Sequence, residues 1–258
     1  MEGLLKDKNI VIIGGTNGIG LSAGKAFVSQ GAKVLALGLP GDNSPTTHWT
    51  PYTADATIAG AAESAIQRCV EQYGGFDALF HVVGGSGRKW GDGPLHEMSL
   101  EGWEMTLNLN LTSVMLSNRA AIRYFLAHRQ KGSILNVSSV LAFSPSPGHF
   151  STHAYATAKA AIIGFSKSIA AYYAPQNIRV NVLAPGLTNT PMAQRAAENE
   201  SIQHFIKTKQ PLDGGRMAET ADLDAAAVYF LSDHSAFTTG QVLAVDGGWS
   251  VSEGQYGS

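Results

Sequence analysis

Short apolar runs, many of them β-branched, alternate with longer amphipathic segments along the chain. The runs are "NIVIIGG", "KVLAL", "DALFHVV", "GSILNVS", "IRVNVLAP" and "QVLAVDGG". Helical spacing is found in the segments around 18–30, 57–73, 100–128, 154–173, 192–209 and 219–231. This alternation is typical of βαβ crossovers, which place helices on both faces of a parallel sheet. We therefore predict an α/β fold, a doubly wound parallel sheet of about seven strands.

Length and composition favour one domain over residues 1–258. The chain has 258 residues, of which 44% are hydrophobic, and the short Pro- and Gly-rich stretches look like loops rather than a linker. The net charge of -2 gives no basic footprint for nucleic acid or an anionic membrane. No apolar run approaches the ~18 residues that a membrane span needs. We expect a cytoplasmic protein with a small-molecule substrate and with neither nucleic acid nor membrane as partner.

A metal site has little support in the sequence. Cys69 is the only cysteine and lies on the apolar face of a predicted helix, where a packed thiol is expected. The eight histidines are scattered and have no acidic cluster beside them. We predict no metal.

A glycine-rich turn follows the first predicted strand in "IIGGTNGIGLSAGKAF", with Gly14, Gly18 and Gly20 at the bend. Such glycines let a pyrophosphate approach the backbone, and the free N–H groups of the helix start favour its negative charge. The turn therefore suits a nicotinamide dinucleotide. An S-adenosyl cofactor, a flavin or an ordinary strand-to-helix turn would also fit it.

Tyr155 and Lys159 lie four residues apart in "HAYATAKAAIIGF". Side chains at this spacing are neighbours on one helix face, so the ammonium can act on the phenol. The pair could form a base, although a Tyr and a Lys at this spacing also recur by chance on solvated helices.

The glycine turn and the Tyr-x-x-x-Lys pair together resemble the short-chain dehydrogenase/reductase family. Further stretches resemble its landmarks in order: "WEMTLNLNL", "GSILNVSSV", "VNVLAPGLTNTPM" and "GQVLAVDGGWS". The resemblance implies a Rossmann-like oxidoreductase that transfers a hydride between a nicotinamide and a secondary alcohol or its ketone. A non-catalytic dinucleotide sensor or scaffold of the same fold is the alternative.

The resemblance implies a catalytic tetrad of Asn110, Ser139, Tyr155 and Lys159. Free tyrosine titrates near ~10, so a base near neutrality needs roughly 4 kcal/mol of phenolate stabilisation. Lys159 and an oxidised nicotinamide would both favour that anion. Ser139 would bind the substrate oxygen, and Asn110 would anchor a water that links Lys159 to solvent.

The same resemblance implies the cofactor contacts, which are Gly14, Thr16, Asn17, Gly18, Ile19, Gly20, Leu39, Asp55, Ala56, Gly84, Tyr155, Lys159, Pro185, Gly186, Thr188 and Thr190. Gly38 and Leu39 offer no cation where the second strand ends, and Asn17 is uncharged. Because desolvating a phosphate without a cation is costly, NAD is favoured over NADP. Asp42 is a candidate partner of the ribose, and Asp55 matches the adenine-contacting acid of the family.

Two stretches depart from the family pattern. His81-Val82-Val83 stands where the family usually has Asn-Asn-Ala, and only the following Gly84 matches. The change puts local rigidity in doubt more than chemistry, and we expect His81 to be a core histidine satisfied by backbone groups. The 16-residue interval between Ser139 and Tyr155 predicts a longer loop. Ser138 is the alternative oxygen, but only one of the two serines can face the site.

Three further features bear on substrate and assembly. The segment 190–211 reads as an amphipathic lid. Arg88, Lys89 and Trp90 leave the sheet on the functional side, where they either recognise a polar or anionic substrate or form a solvated loop. The family resemblance implies a homotetramer, with some of the small and apolar surface around Ala160 meeting a partner subunit.

Overall fold

The computed structural model describes residues 3–41 and 44–254. Seven parallel strands form one sheet in the order β3-β2-β1-β4-β5-β6-β7. The strands are β1 (Asn9–Ile13), β2 (Lys33–Gly38), β3 (Trp49–Thr53), β4 (Ala78–His81), β5 (Gly132–Val137), β6 (Ile178–Pro185) and β7 (Val242–Val245).

Helices connect the strands on both faces of the sheet, so the predicted fold class is confirmed. They are α1 (Gly18–Ser29), α2 (Ala61–Tyr73), α3 (Leu100–Leu107), α4 (Ser113–Ala127), α5 (His153–Tyr173), α6 (Gln194–Ala197), α7 (Glu200–Lys209) and α8 (Asp224–Leu231). None of the described helices is both long and apolar enough to cross a membrane.

Two apolar cores lie on opposite faces of the sheet. Ile10 and Ile12 of β1 point towards α1 and α8, whereas Val11 and Ile13 point towards α2, α4 and α5. This follows from the period of two along a strand, and burial on both faces explains why the strands read as nearly continuous apolar runs. Cys69 is a buried thiol in the second core, and burial raises its pKa to about 12.

The edge strand β3 is absent from the apolar runs of the sequence. Among the described strands it pairs with β2 alone, and its sequence, WTPYT, contains Pro51 in the middle. Proline has no N–H for a ladder and is tolerated on edge strands. An edge strand also needs less apolar surface, which removes the usual sequence signal.

Three predicted helices differ in detail from the observed ones. The helix predicted from 57 begins at Ala61, after Gly60, whose φ of 92° is left-handed. The helix predicted over 100–128 contains a π-helical turn at Asn108–Thr112. The helix predicted over 192–209 is divided into α6 and α7, because the Asn199 side chain accepts the N–H of Ile202 and starts a new helix.

The chain reverses its direction of travel across the sheet between β1 and β4. It runs outwards through β2 and β3 and returns to place β4 on the other side of β1. Such a switch point opens a crevice at the carboxyl ends of the strands, where ligands bind in doubly wound sheets.

Candidate active site

The glycine turn lies at this switch point, between the end of β1 and the start of α1. Gly14 has a left-handed φ of 97°, and a Cβ at Gly20 would collide with the Gly14 carbonyl oxygen. The first N–H groups of α1 have no partner one turn earlier, so they can bind an anion. The turn thus has the close packing and the donors that a pyrophosphate requires.

The residues predicted to contact the adenosine half follow β2 and β3 at the same edge of the sheet. Thr16 is buried against Gly38, and Leu39 is 64% exposed. Asp55 accepts hydrogen bonds from the N–H and the hydroxyl of Thr57, and Ala56 lies beside it. Asp42, the candidate ribose partner, lies outside the described residues.

Tyr155 and Lys159 are on the first turns of α5, as their spacing predicts. The Lys159 Nζ lies 5.6 Å from the centre of the Tyr155 ring and donates a hydrogen bond of 3.0 Å to the carbonyl of Val137. Lys159 is only 2% exposed. The ammonium is therefore held between the end of β5 and the phenol.

The two serines after β5 have different surroundings. The Ser138 hydroxyl donates to the Lys159 carbonyl at 2.7 Å and is buried. The Ser139 hydroxyl accepts the N–H of Leu141 and lies near the Tyr155 phenol. Both serines line the cavity, but the Ser139 hydroxyl lies near the phenol whereas the Ser138 hydroxyl is bonded to the backbone of α5.

Burial controls the acidity of the Tyr-Lys pair. It raises the pKa of Tyr155 to about 12, and the nearby Ser139 hydroxyl opposes this only in part. Burial also lowers the pKa of Lys159 to about 8. The direction for Tyr155 is opposite to the lowering predicted from Lys159, because loss of water disfavours phenolate more than the protein's own groups favour it.

Asn110 lies in the π-helical turn between α3 and α4 and is completely buried. Its Nδ2 donates to the carbonyls of Gly85 and Thr106, and its Oδ1 accepts the N–H of Gly85. A π turn inserts one extra residue into a helix and is frequent at functional sites. Here it turns the amide towards the segment that follows β4.

Gly84 allows Asn110 and Lys159 to pack closely against the end of β4. A Cβ there would stand 2.7 Å from the Asn110 Oδ1 and 2.8 Å from the Lys159 Nζ, so a side chain at this position would have to displace both groups. Gly84 also borders the cavity, where it presents backbone without a side chain. This stretch of wall and the helix start at the glycine turn fit a nicotinamide dinucleotide.

The turn after β6 completes the wall of the site. Gly186 donates its N–H to the Val245 carbonyl, and the buried Gln210 side chain holds both the N–H and the carbonyl of Leu187. Thr188 bonds back to the Gly186 carbonyl. No local motif predicts this role of Gln210, because it lies 23 residues from the loop that it fixes.

Asp92 is a positioning residue that the sequence did not reveal. It is 4% exposed, and its two oxygens accept the N–H groups of Ala154 at 2.9 Å and Tyr155 at 3.0 Å. The residue that precedes the helix, Thr152, makes no such bond. A carboxylate that is distant in sequence thus caps α5, and its negative charge interacts favourably with the positive end of the helix dipole.

His81 occupies the place where the family usually has an amide, and it is completely buried. Its Nδ1 is 2.8 Å from the Ser117 hydroxyl, and its Nε2 has a longer contact of 3.4 Å with the Ser113 hydroxyl. The ring is that of a core histidine, as expected, and a backbone hydrogen bond with Val83 is joined by contacts with two serines of α4. Burial and the charge of Lys159 lower the pKa of His81 to about 3.

A cavity of about 560 Å³ joins these elements. The predicted site residues on its wall are Ile19, Gly84, Ser139, Tyr155, Lys159, Pro185, Gly186, Thr188 and Thr190. Asn110 lies beneath the wall. The predicted residues outside the lining are Gly14, Thr16, Asn17, Gly18, Gly20, Leu39, Asp55 and Ala56. They belong to the glycine turn and the strand ends beyond it.

A family model described as enoyl-(acyl carrier protein) reductase matches residues 14–250. The matched span contains the glycine turn, the Tyr155–Lys159 pair and every strand from β2 to β7. The chain belongs to the short-chain dehydrogenase/reductase family. The resemblance drawn from the motifs is thereby confirmed.

Individual relatives match over nearly their whole length. A 3-oxoacyl-[acyl-carrier-protein] reductase from Chlamydia trachomatis is 34% identical, over 96% of this chain and 99% of the relative. A 2,5-dichloro-2,5-cyclohexadiene-1,4-diol dehydrogenase from Sphingobium indicum is 30% identical, over 96% and 98%. The structure of an aldohexose dehydrogenase from Thermoplasma acidophilum superposes with a TM-score of 0.82 at 28% identity, covering 97% of both chains.

Membership of the short-chain dehydrogenase/reductase family fixes the class of chemistry. The protein is an oxidoreductase that uses a nicotinamide cofactor, NAD or NADP, and acts on a CH–OH or keto group. Enzymes of this family act on small molecules and are commonly oligomeric.

Acid should destabilise this protein through His81. The folded pKa of about 3 lies below an unfolded value of about 6.5, so the unfolded chain binds the proton first as the pH falls. The free energy of unfolding should therefore be independent of His81 above about pH 6.5. Between about pH 6.5 and about pH 3 it should fall by about 1.4 kcal/mol per pH unit. Urea unfolding from about pH 7 to about pH 4 measures this slope.

A His81→Asn variant should lack this component of the acid slope, because an amide makes hydrogen bonds without titrating. His96→Asn is the matched control, since His96 lies on an exposed loop. Parallel pH profiles for wild type and His81→Asn would refute the explanation.

Proposed function

We propose that Tyr155 is the acid and base of the reaction, with Ser139, Lys159 and Asn110 as its partners. The observation that carries this proposal is the convergence of the Tyr155 phenol and the Ser139 hydroxyl on the wall of one cavity, which Gly84 also lines. A substrate oxygen between the two hydroxyl groups would lie within reach of a proton donor and a hydrogen-bond donor.

The chain's own residues favour a protonated phenol. With a pKa of about 12, Tyr155 holds its proton at neutral pH and can give it to the oxygen of a carbonyl that is being reduced. Ser139 would donate to that oxygen as negative charge develops, and Lys159 would support the phenolate left behind. Bound nicotinamide supplies the hydride or accepts it, and its oxidised form adds a positive charge that favours phenolate in the oxidation direction.

Asn110 would act through its position rather than by proton transfer. Its amide makes three hydrogen bonds to Gly85 and Thr106, which fix the loop after β4 against the π-helical turn. That loop borders the same cavity as Tyr155. Asn110 would thus keep the nicotinamide end of the site in shape and, as the family resemblance implies, anchor a water near Lys159.

The substrate that we propose is a secondary alcohol or its ketone. Relatives named as a 3-oxoacyl-[acyl-carrier-protein] reductase, a cyclohexadienediol dehydrogenase and a 3β-hydroxysteroid dehydrogenase support this class, because each name describes an oxygen on a secondary carbon. Their carbon skeletons differ widely. The oxygen chemistry is therefore what these relatives have in common.

NAD is the proposed preferred cofactor. The exposed Leu39 follows β2 at the position where a cation would favour a 2′-phosphate, and Asn17 in the glycine turn is exposed and uncharged. Gly38 is packed against Thr16, which closes the space beneath the strand end. These neutral surroundings favour a ribose hydroxyl over a phosphate.

A homotetramer is the proposed assembly, which a measurement of the mass in solution tests directly. Support comes from the oligomeric habit of the family and from the small residues on the outer side of α5. Ala160 and Gly164 are exposed, and Phe165 is half-buried.

Segment 190–211 is proposed to close over the substrate as a lid. Met192, Ala193 and Arg195 of this segment line the cavity, and α7 buries Ile202 and Ile206 in a small core with Trp249. Proteolysis within 190–211 should slow when NADH and a ketone substrate are added together. Unchanged cleavage would count against closure.

The direct test of the activity begins with fluorescence titration of the pure protein with NADH and NADPH. Absorbance of the nicotinamide band is then followed with ketones, secondary alcohols, sugars and polyols. Turnover with any of them supports the proposal. A protein that binds the dinucleotide but turns over none of the panel would favour the sensor or scaffold.

Tyr155→Phe should lower kcat by about 10²- to 10⁴-fold, because it removes the proton that the reaction moves while keeping the ring. NADH affinity should stay nearly unchanged. Tyr172→Phe, at the 73%-exposed far end of the same helix, is the control and should retain full activity. Retained activity in Tyr155→Phe would refute the assigned role.

Leu39→Arg should improve NADPH affinity about tenfold, because the guanidinium can pair with a 2′-phosphate. NADH affinity should change little. The control is Leu95→Arg, another strongly exposed leucine, which lies outside the lining of the cavity. An unchanged ratio of the two dissociation constants in Leu39→Arg would show that another element sets the preference.

A further inference from the structure

Basic side chains from two distant parts of the chain meet at the cavity. Arg88 and Lys89 come from the short helix Arg88–Trp90 that follows β4, and Arg195 comes from α6 in segment 190–211. Lys159 lies deeper on the same wall. Among the described residues that line the cavity, none is acidic. The cavity is therefore positive although the whole chain has a net charge of -2.

The charges of the two arginines are not neutralised by the described part of the protein. Neither Arg88 nor Arg195 forms an ion pair with a described acidic residue. The nearby Asp92 attracts Arg88 but forms no ion pair with it, and its two oxygens bond to backbone N–H groups at the start of α5. Within the described residues, the Arg88 guanidinium has one hydrogen bond, a long contact of 3.4 Å with the His149 carbonyl. Most of its donors can therefore bind a ligand.

The two guanidinium groups are close enough to repel each other. Partial burial and then the charge of Arg195 lower the pKa of Arg88, whereas Asp92 acts in the opposite direction. An anion placed between two such groups would convert this repulsion into two attractions, and planar guanidinium groups match oxyanions well.

We propose that the substrate carries an oxyanion group, a carboxylate or a phosphate, which Arg88 and Arg195 bind while Tyr155 and Ser139 hold the reacting oxygen. This inference rests on the proposed function, since it assigns the other end of the same substrate. Apolar residues such as Leu141, Phe150 and Trp249 line the cavity and would contact the carbon skeleton.

The two arginines also belong to different segments of the fold. Arg88 belongs to the segment that Asp92 ties to α5, and Arg195 belongs to the proposed lid. An anion bound by both would connect the lid to the wall that holds Tyr155. Charge recognition and exclusion of water would then occur in one step, which favours charged substrates over neutral ones of the same shape.

The competing interpretation is that these arginines are solvated surface residues, since both are exposed. The two interpretations differ in one measurable respect. Solvated arginines far from the ligand give an anion and its neutral analogue similar affinities. Arginines that bind the anion give it a preference that disappears when either guanidinium is removed.

The experiment measures equilibrium binding by calorimetry to the Tyr155→Phe protein saturated with NADH, in which the Tyr155 hydroxyl cannot transfer a proton. The probes are 3-oxobutanoate, 4-oxopentanoate and 5-oxohexanoate, each compared with its methyl ester, and dihydroxyacetone phosphate compared with dihydroxyacetone. The first set tests a carboxylate and the last pair tests a phosphate. Arg88→Gln and Arg195→Gln are added singly in the same background.

Arg68→Gln is the matched control, because it removes the same charge from an exposed site on α2 where the guanidinium lies over the Tyr52 ring. Arg195→Lys keeps the charge but lacks the planar guanidinium, which can donate two hydrogen bonds to one oxyanion. Circular dichroism verifies that each variant is folded, which is expected since the substituted side chains are exposed.

We expect at least one anion to bind about tenfold or more tightly than its neutral partner. Arg88→Gln and Arg195→Gln should each reduce that preference by about tenfold, Arg195→Lys should restore part of it, and Arg68→Gln should leave it unchanged. Absence of an anion preference in every pair, or a preference that both glutamine variants retain, would overturn the inference.

Failure of the proposed function would look different. If the anions bind through the arginines but wild-type protein neither reduces them nor oxidises their alcohols, the anion site stands and the proposed reaction fails. If neutral ketones are turned over and no anion is preferred, the proposed reaction stands and the anion site fails.

Discussion

A parallel sheet that is buried on both faces leaves only its two ends for chemistry. The apolar residues of β1 alternate between the two cores, so helices cover both faces and exclude a ligand from them. The switch point between β1 and β4 then separates two loops at the carboxyl end and opens a crevice between them. Every element of the candidate site follows from this constraint, including the glycine turn, Gly84 and the turn after β6.

Asp92 connects the substrate side of the crevice to the catalytic side. It lies just after the short helix that carries Arg88, and its carboxylate holds the start of α5 through the N–H groups of Ala154 and Tyr155. The carboxylate therefore performs two tasks at once, capping a helix and fixing a loop. A shift of that loop would displace the start of α5, because the carboxylate is bonded to the backbone N–H of Tyr155.

His81 shows how this chain ties β4 to the helix that carries the π-helical turn. Its ring contacts the hydroxyl groups of Ser117 and Ser113, and Ser113 directly follows Asn108–Thr112 and donates to the Leu109 carbonyl. An imidazole thus occupies the place of the usual amide. The contact between β4 and α4 is kept, but it requires a neutral imidazole, because the surroundings of His81 strongly disfavour the charged form.

The sequence by itself determined the class of sheet, six of its seven strands, the glycine turn and the shared helix face of Tyr155 and Lys159. These depend on local periodicity and spacing, which the chain carries within a few residues. Tertiary structure alone decided the edge strand β3, the division of 192–209 into two helices, the serine partners of His81 and the upward shift in the pKa of Tyr155. It also decided that Asp92 caps a helix 62 residues away and that Arg88 and Arg195 line the same cavity. Burial and contacts between distant segments depend on how the whole sheet is assembled, and no local pattern encodes that.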